Sequence, residues 1–302
     1  MIEIFNSQLF IKVLEKWYKN FWKTKITDIN WTNIIFLKIK NIFTEAVIPF
    51  AKIKTDEEFE ELIKEIKKHR PFRIRLLFYN RLFLSENIAE KYWLEKQYTQ
   101  IINLQQTLED IFKNFRPTYR NEINKYLKWK WQNLVVKKTT SIWEELNNFY
   151  SLYKNTILRV KKHWAKHLVI ESKDYFEYLM NNLNWNAIVY NLYFEWNLIN
   201  SALILKDINW IYYLKWASNN KKKYRKIGWW RILHYEIVKD NIWNWIYDLW
   251  WINWEDLNDP ITKFKIWFWW RTISFYWWEI ILNKKINYIF KWLEKIYNLI
   301  KK

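Results

Sequence analysis

Helical and extended patterns of apolar residues alternate along the first third of the chain. Apolar side chains recur at helical spacing over residues 7–19, 57–68 and 107–127, which predicts three amphipathic helices. Short apolar runs bounded by turn residues predict strands at 34–37, 46–50, 72–78 and 98–104.

Helical and extended patterns of apolar residues also alternate in the rest of the chain, up to residue 302. Helices are predicted at 144–159, 173–183, 232–241 and 283–302. Strands are predicted at 187–194, 198–205, 211–215, 246–249, 272–276 and 279–282, with a polar loop after residue 249. This order predicts an α+β fold of two halves and a terminal helix, with mostly antiparallel pairing.

Tryptophan and glycine have unusual counts. The chain has 25 tryptophans and one glycine, whereas an average chain of this length has about 21 glycines. Tryptophan directly follows asparagine at positions where Asn-Gly would be a typical turn: Trp31, Trp185, Trp210, Trp245 and Trp254. We interpret most of these tryptophans as glycines encoded by a reassigned UGA codon, while Trp143 and Trp292 fit helical patterns as tryptophans. The alternative is a genuinely tryptophan-rich protein of the membrane interface or one that binds carbohydrate.

Charge and the remaining composition limit the function less sharply. The net charge of +19 favours a polyanionic partner such as RNA or an anionic lipid surface, although an AT-rich genome also raises the lysine count. The absence of cysteine excludes disulfides and thiol catalysis. His163 and His167 lack further ligands nearby, so we expect no metal site and no cofactor. No apolar run is long enough for a membrane span and no signal peptide is evident, so we expect a cytoplasmic location.

With the tryptophans read as glycines, residues 246–279 contain Tyr-Asp-Leu-Gly-Gly, an Asp-Pro step and Phe-Lys-x-Gly-Phe-Gly-Gly. These motifs occupy Tyr247, Asp248, Leu249, Trp250, Trp251, Asp259, Pro260, Phe264, Lys265, Trp267, Phe268, Trp269 and Trp270. Upstream, a Tyr-Leu-x-Gly-x-Ser motif occupies Tyr213, Leu214, Trp216 and Ser218. Together they resemble the signature of the Fem family, whose members form peptidoglycan bridges and have Phe at the position of Leu249. Asn103, at the end of a predicted strand, departs from the aspartate that the family often has at that position.

The resemblance implies two tandem acetyltransferase-like (GNAT) domains, at 1–133 and 134–282, with a C-terminal helix at 283–302 that returns to the first. It implies transfer of an amino acid from aminoacyl-tRNA to the peptide stem of a lipid- or nucleotide-linked peptidoglycan precursor, with possible peripheral contact with the inner membrane surface. Two alternatives stay open: an N-acyltransferase that uses acyl-CoA, and a non-enzymatic protein that binds RNA or a membrane surface.

The implied reaction is the attack of an amine on an activated ester. The enzyme must orient two substrates and stabilise an oxyanion. Lys265 of the Phe-Lys-x-Gly motif is predicted to be the catalytic cation; the alternative is an exposed lysine at a strand end. Tyr213 is predicted to orient the acceptor or relay a proton, or to be a half-buried strand aromatic.

Three residues outside the predicted catalytic pair are assigned to substrate binding. Arg159 is predicted to bind an acceptor phosphate, with a surface arginine as the alternative, and Ser218 to contact substrate. Asp248 could hold the amine, although a structural role in capping the following loop is favoured.

A basic segment precedes the helix predicted at 232–241. Backbone N–H groups at a helix N-terminus bind phosphate, so Arg225, Lys226 and Gly228 are predicted to contact the phosphate of the donor. His234 on that helix is predicted to be a packing or surface residue rather than a catalytic base.

Overall fold

The computed structural model describes residues 23–29, 32–39, 43–48, 53, 55–76, 82–128, 133–141, 144–163, 170–207, 209–225, 229–252, 257, 260–266 and 271–300. They fall into two compact units. The central unit is Tyr98–Ile273, and the N-terminal unit combines the described residues up to Gln97 with those from Ser274 onward.

The described strands and helices occupy most of this sequence. The strands are β1 (Lys23–Ile29), β2 (Thr32–Ile39), β3 (Phe43–Ile48), β4 (Arg73–Leu76), β5 (Glu95–Asn103), β6 (Leu134–Thr139), β7 (Ala187–Phe194), β8 (Asn197–Lys206), β9 (Trp210–Ser218), β10 (Ile246–Ile252) and β11 (Arg271–Ile281). The helices are α1 (Asp56–Lys68), α2 (Glu86–Tyr92), α3 (Leu108–Asn114), α4 (Pro117–Leu127), α5 (Glu144–His163), α6 (Lys173–Leu183), α7 (Lys222–Arg225), α8 (Trp229–Lys239), α9 (Pro260–Ile266) and α10 (Lys284–Ile300). A short 3₁₀ turn spans Asn184–Asn186.

In the N-terminal unit, β1, β2 and β3 form an antiparallel meander. Strand β4 is parallel to β3, and the end of β11 is antiparallel to β4. Helix α1 connects the parallel pair and buries one apolar face, while the hydroxyl of Thr55 caps its first turn. On α10, Phe290 packs against Phe72 with ring centroids 5.3 Å apart. The C-terminal helix therefore packs back on the N-terminal unit, as predicted.

The central unit repeats this order. Strands β6, β7, β8 and β9 are antiparallel neighbours, β10 is parallel to β9, and β5 is antiparallel to β10. Each unit thus has a meander, a parallel pair joined through a helix, and a last antiparallel strand. This arrangement confirms the α+β class and the two tandem acetyltransferase-like (GNAT) domains.

The last strand of each sheet comes from a distant part of the sequence. Strand β5 precedes the rest of the central unit, and β11 follows β10 but pairs with β4 in the N-terminal unit. The expected boundary between residues 133 and 134 follows sequence order and falls inside the central unit.

Three predicted elements differ in the structure. The single helix predicted at 107–127 is two helices, because Arg116 is extended (ψ 147°) before Pro117, the first residue of α4. The two strands predicted at 272–276 and 279–282 are one strand, since the ladder with β4 includes Trp278, which pairs with Leu76. The polar loop predicted after residue 249 contains α9. The helix predicted at 7–19 lies outside the described residues.

Candidate active site

The parallel strands β9 and β10 of the central unit are paired over only a short stretch. Among the described residues, their register covers three pairs and ends where Asp248 faces Tyr212. Strand β9 continues to Ser218, and its register with β8 shifts at Leu214. A bulge of this kind increases the local twist and turns a strand away from its neighbour. The two strands therefore offer a notch beyond Tyr212 in which a ligand can approach the backbone.

Four polar side chains from separate elements meet beside this notch, and we name them the Lys265 cluster: Tyr213, His234, Tyr247 and Lys265. The Nδ1 atom of His234 on α8 lies 2.8 Å from the hydroxyl oxygen of Tyr247 on β10. The ring centroids of Tyr213 and His234 are 4.7 Å apart. Lys265 on α9 is 7% exposed, and its charge acts on His234. Lys265 is thus a buried cation on a short helix, not an exposed lysine at a strand end.

Burial sets the ionisation of the cluster. Burial, and to a smaller extent the charge of Lys265, lower the pKa of His234 to about 3. Burial also raises the pKa of Tyr213 and the pKa of Tyr247 well above 10. At neutral pH the imidazole and both phenols are therefore uncharged. The cluster can supply a positive charge and a hydroxyl donor to an oxyanion, in surroundings where little water weakens them.

The hydroxyl of Tyr213 is buried, and it has no hydrogen-bond partner among the described residues. A buried hydroxyl without a partner costs free energy, so it is available to a substrate that brings an acceptor or a donor.

Arg159 and Ser218 are in direct contact. The guanidinium of Arg159 donates to the carbonyl oxygen of Ser218 (3.1 Å) and to its hydroxyl (3.0 Å). The Thr156 hydroxyl accepts from the backbone N–H of Ser218 at 2.9 Å. These bonds fix the end of β9 against α5. Ser218 is five residues beyond Tyr213, about 17 Å along an extended strand, so the two groups are separate.

Asp248 lies outside both groups. Its carboxylate is buried and accepts a hydrogen bond from the Thr99 hydroxyl on β5. Because side chains alternate along a strand, Asp248 and its neighbour Tyr247 point to opposite faces of the sheet. The hydrogen bond with Thr99 joins β10 to β5.

The predicted phosphate-binding residues are only partly visible. Lys226 and Gly228 lie outside the described residues, and so does the side chain of Arg225, whose backbone ends α7. Helix α8 begins directly after this segment, at Trp229, so a helix N-terminus does follow the basic residues.

Two polar features were not predicted as parts of a site. His234 is one of them, although a histidine among the apolar residues at the start of α8 was a usable signal. The other is Glu171, whose carboxylate accepts hydrogen bonds from the Tyr153 hydroxyl and the Lys215 ammonium. No sequence pattern links these three positions, since their proximity depends on the tertiary fold.

The described residues contain no group of three or more potential metal ligands. Within the same part of the chain, no helix is both long enough and apolar enough to cross a bilayer.

Neither a family model nor a curated protein matches the chain. Among solved structures, the chain is similar to FemX, with 13% identity over 93% of each chain and a TM-score of 0.67. It is also similar to a protein of unknown function from Bacteroides thetaiotaomicron (11% identity, 92% of each chain, TM-score 0.59). A third similar structure is the C-terminal domain of a putative lysylphosphatidylglycerol synthetase from Agrobacterium fabrum (11% identity, 93% of each chain, TM-score 0.51). These likenesses show a shared fold.

Proposed function

We propose that this chain is an aminoacyltransferase of the Fem type, which moves an amino acid from aminoacyl-tRNA to an amino group on the peptide stem of a peptidoglycan precursor. The observation that carries the proposal is the buried Lys265 beside His234 and Tyr213, at the notch between β9 and β10. The fold shared with FemX and the motif match around Lys265 support it.

The proposed reaction needs no enzyme nucleophile. The acceptor amine attacks the ester carbonyl carbon, a C–N bond forms, and the C–O bond to the tRNA ribose breaks. The proton that the amine loses ends on the ribose oxygen. Lys265 stabilises the developing oxyanion, and the Tyr213 hydroxyl orients the acceptor or passes the proton. Because the pKa of His234 is about 3, the imidazole does not exchange protons at neutral pH and serves to position its neighbours.

The remaining assignments concern binding. The Arg159 guanidinium, which already holds the end of β9, is proposed to bind an acceptor phosphate beside Ser218. The segment with Arg225, Lys226 and Gly228 is proposed to bind tRNA phosphate at the start of α8. The proposed site of action is the cytoplasm, where charged tRNA and the precursor meet, with peripheral contact with the membrane.

One observation favours a second candidate for the acyl donor, acyl-CoA. Helix α8 begins just after a basic segment and next to diverging parallel strands, and a helix N-terminus suits a coenzyme A pyrophosphate as well as a tRNA phosphate. The alternative function is an N-acyltransferase that uses acyl-CoA.

We further propose that most tryptophans stand in glycine positions. Trp93 ends α2 with φ of 57° and Trp196 lies in the β7–β8 turn with φ of 65°; both are left-handed and unfavourable for a residue with a Cβ. Their indoles are 80% and 91% exposed, so no burial offsets that cost. Near the site, the Trp230 ring lies 5.6 Å from Trp216 and 6.4 Å from Tyr213, where substrate would have to enter. Glycine in place of Trp216 and Trp230 would open the notch.

The test is an assay of the protein with glycine restored at its motif positions. We expect transfer from charged tRNA to a muropeptide precursor, and no transfer from acyl-CoA. Transfer from acyl-CoA alone would contradict the tRNA donor. The codons at Trp250, Trp251, Trp269 and Trp270 test the glycine proposal separately, since UGG at these positions would make it wrong.

A further inference from the structure

The C-terminal helix exposes large apolar side chains. On α10, Tyr288 is 74% exposed, Ile289 48% and Trp292 56%. The opposite side of the helix already packs on the N-terminal unit through Phe290. Tyr288, Ile289 and Trp292 lie within four positions of one another on a helix, so they form one outward face. A helix on the surface of a soluble domain ordinarily has polar residues there.

Lysines surround this face. Lys284, Lys285 and Lys291 on α10 are exposed, and Lys67 is exposed at the end of α1. A cavity of about 820 Å³ borders α10, and its lining includes Lys67, Lys284, Lys291 and Tyr288.

The one carboxylate in the lining of this cavity is already neutralised. Glu279 pairs with the Arg73 guanidinium at 3.1 Å and with the Lys291 ammonium at 3.5 Å. The surface is therefore positively charged around an apolar centre.

We propose that this face of α10 docks the N-terminal unit onto an anionic phospholipid bilayer. The lysines would contact lipid phosphates, and Tyr288, Ile289 and Trp292 would enter the interface between headgroups and acyl chains. Ile289 cannot stack on a base, which favours lipid over nucleic acid. The lysines would repel those of a second copy of this chain. The proposal deepens the peripheral membrane contact proposed above, because it names the surface and the lipid. It does not depend on the transfer reaction, since docking requires neither the donor nor the acceptor.

Cosedimentation of the full chain with vesicles tests the proposal. We expect binding to phosphatidylcholine vesicles that contain phosphatidylglycerol and little binding to phosphatidylcholine alone. Each lysine near an anionic surface contributes about fivefold in affinity, so the double variant Lys284→Glu/Lys285→Glu should lose at least about tenfold. The double variant Tyr288→Gln/Ile289→Gln should also lose binding. The matched control is Lys154→Glu/Leu158→Gln, which changes an exposed lysine and an exposed leucine on α5 and should bind like the parent.

Several results would overturn the proposal. These are no binding by the parent chain, equal binding to neutral vesicles, or equal losses in the α10 variants and the control. Binding of tRNA that the α10 variants abolish, without vesicle binding, would make the face a nucleic-acid site. A dimer that the same variants dissociate would make the partner a second copy. Transfer to a soluble, nucleotide-linked acceptor should be unchanged in the α10 variants, which separates this proposal from the proposed reaction.

Discussion

The charge of Lys265 on α9 acts on the imidazole of His234 on α8, although both side chains are buried. A buried positive charge favours anions near it and disfavours a second proton on the imidazole. This charge, together with burial, keeps His234 neutral, and it is the reason for the oxyanion-stabilising role that we propose for Lys265.

Replacement of Lys265 by alanine should reduce transfer strongly. Loss of one group that stabilises an oxyanion typically lowers kcat by roughly 10²- to 10³-fold, and we expect that range for Lys265→Ala in the glycine-restored protein. The measurement is the rate with saturating charged tRNA and acceptor, together with circular dichroism to show that the fold is intact.

Lys263 on the same helix provides the control for this prediction. It is half-buried and two positions from Lys265, so Lys263→Ala changes the charge of α9 equally. We expect Lys263→Ala to retain most activity. Equal activity in the two variants would remove Lys265 from the reaction.

The low pKa of His234 predicts a loss of stability in acid. The folded pKa is about 3, whereas the ordinary pKa of a histidine is 6.5. Between these values the unfolded chain binds a proton that the folded chain does not, so the stabilisation is complete above pH 6.5 and declines as the pH falls toward 3. This group alone should cost on the order of 2–3 kcal/mol between pH 7 and pH 4.5.

Urea unfolding at the two pH values measures this effect. His234→Gln removes the titrating group, so its free energy of unfolding should depend less on pH over the same interval. Carboxylates elsewhere titrate in both proteins and cancel in the comparison. Identical pH dependence in parent and variant would show that His234 titrates normally in the folded state.

The two tyrosines of the Lys265 cluster should respond differently to loss of the hydroxyl. Tyr247→Phe removes the oxygen 2.8 Å from the Nδ1 atom of His234, and leaving a buried polar group with one partner fewer costs about 1–3 kcal/mol. Tyr213→Phe removes a hydroxyl that has no hydrogen-bond partner among the described residues, so stability should be unchanged or higher. If the hydroxyl forms one hydrogen bond with substrate, Tyr213→Phe should lower kcat/KM about tenfold. A stability loss in Tyr213→Phe equal to that in Tyr247→Phe would contradict this difference.

Local patterns were sufficient for much of the fold. Helix α1 was predicted because its apolar residues share one face and its first turn is acidic. The meander of β7, β8 and β9 was predicted from apolar runs separated by short turns. The break between α3 and α4 was missed because the apolar spacing continues across Pro117, although the proline itself was a signal.

The sequence did not predict which distant strands pair with each other. Strands β5 and β11 were predicted as strands, but no local feature assigns β11 to β4, because register depends on contacts between distant segments. The same limit applies to the site. Lys265 and Tyr213 were found through motif positions, while the proximity of His234 and the Glu171 contacts needed the tertiary structure.

Restoring glycine at Trp196 should stabilise the protein. A left-handed backbone costs a residue with a Cβ roughly 1–2 kcal/mol, and glycine avoids that cost. The Trp196 indole is exposed and loses little burial when removed. Trp196 and the preceding Glu195 both have positive φ in the two-residue turn of a hairpin, where glycine is preferred. Trp196→Gly should therefore raise the free energy of unfolding by about 1 kcal/mol, as measured by urea titration.

Trp292 provides the opposite case in the same chain. It is exposed like Trp196, but it lies inside α10, where glycine costs up to about 1 kcal/mol of helix stability. Trp292→Gly should therefore lower stability while Trp196→Gly raises it. A stability loss in both variants would mean that the turn favours tryptophan at Trp196, and the strongest physical support for glycine at that position would be gone.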